Sequence, residues 1–475
     1  MFSNFNLYFF KPRFKNLGLS LGLGILVGLL VLYLSSVAGN WLFLFTIGLL
    51  LLVFALFARV QQGSWLAPGA FFALYWAVFV LGVLIIAPDF DVRVEGLLWI
   101  LFSTFAVYLG SIVGLGKMLF RAVPYSMEKK INNSSNCKLN FPWISQIVVI
   151  CSILGLGAVV VLILSTGQGF SLESIFKIGR EYSIARYSDP TYREPALAVF
   201  LFIFIYLGAL FGGIKFAIAQ SRWHRLIALF PFLPAIGVAT ILTTRASLYF
   251  PFVIWIATYF SIKVAINKGL FSLFTFRNVI LMFSFVLLIV AIGMGLLMLR
   301  FGIATINTQS LLMVYDGMRI DIFGSLSAFT QWFAEHWQEV VIPLPGGFTF
   351  RGPLKWVGVT EFLQHKPVEI SSSFTHYGFT TTLFTLFRDL ISDFTLIGSI
   401  LILFLLGAVG GFSFRQMIQG KIIYLPILAA FYGVTLCSFT GTSLFSYTTI
   451  LLAWIIFTFY LIFVEIGKWL SKINN

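Results

Sequence analysis

Residues 226–262 read LIALFPFLPAIGVATILTTRASLYFPFVIWIATYFSI, apolar almost from end to end, with Arg245 as the single charge. One helix needs roughly twenty residues to cross the hydrocarbon of a bilayer, so a run of this length holds two. They meet in a tight hairpin near 245, with no polar loop to carry the guanidinium away. A charge held there is costly, and the default expectation is a functional group facing the bundle interior. The alternative is an arginine snorkelling to lipid headgroups.

The rest of the chain repeats the pattern. Hydrophobic residues make up 59% of the 475 and charged residues only 10%, against roughly 25% charged in soluble domains, so lipid is the solvent for most of the chain. Continuous apolar runs exclude a β-barrel, whose strands alternate in polarity. About twelve spans are expected, at 17–37, 41–58, 66–87, 96–116, 143–165, 196–219, 226–244, 247–262, 278–299, 394–413, 422–438 and 446–466. The first follows Lys11, Arg13 and Lys15 and lacks a small-residue cleavage site, so it reads as a retained helix. The fold class is an all-α polytopic membrane protein, a single transmembrane domain over 1–475.

Charge sets the orientation. With both termini in the cytoplasm, 19 of the 31 Lys and Arg fall inside with two acids, Glu128 and Glu465; the other 12 fall outside with the remaining 15 acids. The basic balance is thus a topology signal, satisfied by contact with anionic lipid, and gives no reason to invoke nucleic acid. Cys151 and Cys437 fall inside spans and Cys137 in a cytoplasmic loop, which implies no disulfide framework. No CxxC, HExxH or P-loop occurs, and the four histidines are too scattered for metal-ligand spacing, so neither a metal nor a cofactor is expected.

Two long outer segments hold the remaining chemistry. The first, 166–195, contains Glu173, Lys177 and Glu181 at i,i+4 spacing, able to pair along one face, and Arg180, Arg186 and Arg193 without such partners. The second, 300–393, contains Asp316, Arg319, His336, Arg351, His376, Arg388 and Asp389. Its stretch 376–391 is apolar enough to span but is expected as a re-entrant or interfacial helix, because a further span would invert Arg415 and Lys421. Trp332, Trp337 and Trp356 in the same loop read as interfacial belt residues. Arginine's planar fork binds phosphate oxygens bidentately and keeps its charge when buried. Arginines gathered on the outer side therefore suit a polyprenyl-diphosphate-linked sugar, whose leaving group gains negative charge.

The segment ATILTTRASLYFPFVIW resembles the arginine-bearing helix junction of the Wzy-type oligosaccharide repeat-unit polymerases. The run HYGFTTTLFTLFRDLISDFTLIGSILILFLLGAVGGF resembles the end of their large periplasmic loop and the helix that follows. The resemblance extends to the layout of spans and of two outer loops. It implies a GT-C-like bundle in the bacterial inner membrane and a metal-independent glycosyltransferase. Such an enzyme moves a growing glycan from undecaprenyl diphosphate onto an incoming lipid-linked repeat unit, as in O-antigen assembly, with a chain-length regulator as a further partner. It further implies that Arg245, with Arg180, Arg186, Arg193, Arg319, Arg351 or Arg388, holds diphosphate, and that Asp389, Asp316, His336 or His376 serves the acceptor hydroxyl. Arg388–Asp389 reads equally as a local surface pair. An O-antigen ligase shares this chemistry with a different acceptor. A flippase or other transporter is the rival from another class, disfavoured because no internal repeat is evident and the charges gather on one side.

Overall fold

The computed structural model describes residues 40–116, 141, 143–167, 169, 171–188, 193–267, 276–301, 303, 307–337, 346–359, 368–371, 378–381, 383–441 and 443–473. The chain is a helical multi-pass membrane protein. Among the described residues, ten helical stretches are long and apolar enough to cross a bilayer. Lipid offers no hydrogen bonds, so each such run must pair its own backbone as a helix.

The helices are α1 (Asn40–Gln62), α2 (Pro68–Ile86), α3 (Val94–Leu115), α4 (Ile144–Leu164), α5 (Leu172–Ser188), α6 (Ala196–Ile218), α7 (Arg222–Ile227), α8 (Phe232–Leu242), α9 (Ala246–Ile266) and α10 (Phe276–Phe301). After these come α11 (Thr308–His336), α12 (Arg351–Trp356), α13 (Leu386–Ile418), α14 (Leu425–Cys437), α15 (Ser443–Ser446) and α16 (Thr448–Ile473). The expected span 17–37 lies outside the described residues, and the expected span 278–299 coincides with α10.

The hairpin at 245 is present: α8 ends at Leu242, Thr243 turns the chain with φ 49, and Arg245 is the N-cap of α9. The expected helix over 376–391 is replaced in its first half. Gly378–Thr381 forms β2, antiparallel to β1 (Val368–Ser371), with Ile370 opposite Phe379. The TTT run 380–382 favours extended backbone, so helix begins only at Leu386. Thr395 then breaks α13 with φ 67, setting residues 386–394 at an angle to the membrane-crossing part.

Packing within the membrane rests on small residues. A methyl group on Gly110 or Gly114 of α3 would overlap the carbonyls of Phe404 or Ala408 in α13. One on Gly407 or Gly411 would overlap those of Val107 or Ser111 in return. Both helices carry Gly at i,i+4, and lipid-solvated helices gain by such close backbone contact. One large core joins α1–α4, α6, α9, α11, α13, α14 and α16; a satellite core around Ala158, Ile178, Leu242 and Leu296 docks α5 onto α4, α8 and α10.

The turn 87–93, the hairpin at 245, α5, α11, α12 and the turn 438–447 gather at one end of the bundle. Arg319–Asp89, Arg245–Asp321 and a hydrogen bond from Ser446 Oγ to Phe348 O (3.2 Å) tie several of them together. At the opposite end, Lys263 Nζ donates to Ala217 O at 3.1 Å, and Gly116 lies against Arg415.

Candidate functional site

The helix α11 is the spine of the charged end. Asn307 caps it with a reciprocal capping box to Ser310, which fixes where it starts. It lies across the turn 87–93: Ser327 Oγ and Gln331 Nε2 (3.2 Å) donate to Asp91 O, and Arg93 N donates to Thr330 Oγ1 at 3.1 Å.

Three of the arginines singled out from the sequence meet this helix. Arg245 forms an ion pair with Asp321, both side chains about one quarter exposed (28% and 27%). Arg319 is itself part of α11. It is 2% exposed, paired with Asp89 and 3.5 Å from Asp316, which is completely buried. Its guanidinium also lies 5.0 Å over the Phe90 ring. Arg388, in the first turn of α13, sits between two aromatic faces, its Cζ 3.5 Å from the Phe384 ring centroid and 4.9 Å from that of Trp332. It is 7% exposed, and its Nε and Nη1 have no hydrogen-bond partner.

His336 stacks on Trp332 with ring centroids 6.0 Å apart and planes 8° from parallel, and its Nδ1 lies 3.1 Å from Trp332 O. Trp332 thus packs within the site, whereas Trp337 and Trp356 remain exposed. Asp321 and Trp332 are eleven positions apart, about three helical turns, so they share one face of α11 at a spacing of roughly 16 Å. Asp389 and Arg388 are both buried, so they are not a surface pair, although the Asp389 carboxylate favours the charge of Arg388. That carboxylate also lies at the turn at Gly441, where an added Cβ would come within 2.7 Å of Oδ2. That turn needs glycine for its backbone as well, with φ 88.

A second basic group lies at the same end. Phe348 N and Thr349 N donate to the two carboxylate oxygens of Asp393 at 3.0 and 2.7 Å, which anchors the turn leading into α12. The Lys355 ammonium on α12 is held below the usual lysine range, first by partial loss of water and then by the Arg351 and Arg193 guanidinium groups beside it. Arg193 from segment 166–195 and Arg351 from segment 300–393 therefore both lie near Lys355. Arg180 is exposed on α5. The side chain of Arg186, and His376 entirely, lie outside the described residues, as does the Glu173 side chain of the expected i,i+4 series.

Sequence reasoning missed Asp321, Asp89, Lys355 and Thr385. The first two carried a legible signal: PDFDVR (88–93) is a short outer turn with two acids, and Asp321 lies in YDGMRIDIF beside Arg319. Among the described residues, no group of three or more His, Cys, Asp or Glu is placed to hold a metal ion.

These features define a class: a helical multi-pass membrane protein with an arginine-rich site at one end of its bundle. No protein family, curated protein or solved structure matches the chain.

Proposed function

We propose that this protein is a polymerase joining undecaprenyl-diphosphate-linked oligosaccharide repeat units into a cell-surface polysaccharide. It works at the outer face of the bacterial cytoplasmic membrane. In this reading it is a metal-independent glycosyltransferase with about twelve spans, a GT-C-like bundle and cytoplasmic termini. The observation that supports it is the meeting of Arg245, Arg319 and Arg388 on α11, at the end of the bundle that carries both long connecting segments. Arginine forks at a membrane surface match the oxygens of a lipid-linked diphosphate.

In the reaction the bond between the donor sugar's anomeric carbon and its diphosphate breaks, and an acceptor hydroxyl oxygen bonds to that carbon. The diphosphate leaves with the bonding electrons, and Arg245 and Arg388 stabilise its growing charge. Binding at Arg245 displaces Asp321 from the guanidinium. The acceptor proton passes to a carboxylate, with Asp389 placed one residue from Arg388 for that task. The paired carboxylate Asp316 holds Arg319 and so the position of α11.

Arg245→Gln tests the reading in the cells that make the glycan. The expected outcome is accumulation of single lipid-linked repeat units with the protein still inserted. Losing one charge-assisted contact to phosphate costs on the order of 1.5–3 kcal/mol, about ten- to a hundredfold in transition-state binding. Normal long-chain glycan from this variant removes Arg245 from the site.

A further inference from the structure

The first turn of α13 holds more unsatisfied polar groups than its burial accounts for. Thr385 stands at the N-cap, where a threonine ordinarily accepts from a backbone N–H of the first turn; here it makes no such bond. Its Oγ1 is fully buried and has no partner. Three residues on, Arg388 folds back along the helix so that its guanidinium lies over Phe384, the residue just before the cap. Side chains in a helix tilt toward its N-terminus, so this direction is the natural one. The guanidinium thus lies beside the helix end whose dipole is positive, where Arg388 N already donates to Thr385 O at 3.1 Å and the N–H groups of Leu386 and Phe387 precede the regular helical ladder.

Phe384 and Trp332 lie against the guanidinium, and neither offers a lone-pair acceptor to its N–H donors. Nε and Nη1 are therefore left as buried, unused donors, a costly state in a protein that binds nothing there. The Asp389 carboxylate, packed at the Gly441 turn, favours the charge of Arg388 but leaves those two donors without a hydrogen bond.

We propose that Thr385, the N-terminus of α13 and Arg388 form a cradle for a phosphoryl oxyanion, with Phe384 and Trp332 as positioning side chains that fix the plane of the fork. The cradle deepens the polymerase reading by placing one phosphate of the lipid-linked diphosphate at α13, and it rests on that reading only for the ligand's lipid. Thr385 donates its hydroxyl hydrogen to the anion, and Arg388 donates in its own plane.

The test is direct binding by calorimetry to the full chain in phosphatidylcholine nanodiscs, titrated with inorganic pyrophosphate and separately with farnesyl diphosphate. Both should bind saturably. Arg388→Gln should weaken both about tenfold or more, as expected for one lost charge-assisted hydrogen bond, and Thr385→Val by a few fold. Trp332→Ala should weaken binding while Trp332→Phe restores it, a rescue that a residue needed only for folding at that volume would not show with the charge site intact. Arg388→Lys, which keeps the charge, guards against a misfolded Gln variant and should also bind weakly. Unchanged binding in Arg388→Gln and Thr385→Val, or no saturable binding by the wild type, overturns the cradle. Equal displacement of both diphosphates by phosphatidylglycerol in the disc overturns the assignment to a diphosphate. Weakened binding in the variants, with no polymerase activity in the wild type, would keep the cradle and remove the polymerase reading.

Discussion

Arg319 and Arg388 stand at the same end of the bundle, on α11 and α13, and each guanidinium is nearly removed from water. Around Arg319 stand two carboxylates, Asp89 and Asp316, so its charge is neutralised within the fold. Both arginines leave Nε and Nη1 without a hydrogen-bond partner. Around Arg388, however, stand two aromatic rings, the N-terminus of α13 and one carboxylate, Asp389, in place of an ion pair. Burial alone does not separate a structural arginine from a binding one; a direct ion pair, present at Arg319, does. Arg245 lies between these cases, half-buried and paired with one acid that sits on α11 rather than on its own helix.

The contrast predicts opposite phenotypes. Arg319→Ala should have the largest effect on the fold, because it removes the guanidinium that Asp89 and the buried Asp316 share, at about 3–5 kcal/mol. The measurement is thermal unfolding in detergent, and an unchanged midpoint would erase the distinction. Arg388→Lys keeps the charge but loses the fork, so it should leave the unfolding midpoint close to wild type while long-chain glycan disappears. A large loss of stability in Arg388→Lys would place Arg388 with Arg319 instead. The smallest effect is expected for Arg180→Lys, on an exposed helical surface, where both stability and glycan length should match the wild type.

Much of the fold was legible in advance because lipid imposes it. The run 226–262 folds as two helices with Arg245 at their junction, since hydrocarbon leaves the backbone no other option there. The outer segment 300–393 was less legible. Its longest element, α11, mixes polar and apolar residues and buries a set that includes Asp316, Arg319 and Thr330, so it gives no simple span signal. The stretch 376–391 is apolar enough overall to suggest a re-entrant or interfacial helix, but the β-propensity of its threonines places Gly378–Thr381 in a strand. The glycines of GSIVG (110–114) and GAVGG (407–411) could have been noticed as a small-residue spacing, although nothing in one chain says that these two faces meet. The site was legible as a set of arginines. Which of them have counter-charges was not, because Arg245 with Asp321 and Arg319 with Asp89 are contacts between segments far apart in the chain.

The most direct measurement is reconstitution of the purified protein with a synthetic undecaprenyl-diphosphate-linked repeat unit, with products separated by glycan length. The wild type should yield chains extended by whole repeat units without added metal or nucleotide sugar, and Arg245→Gln and Arg388→Gln should yield none. No extension by the wild type, or equal extension by both variants, would contradict the account.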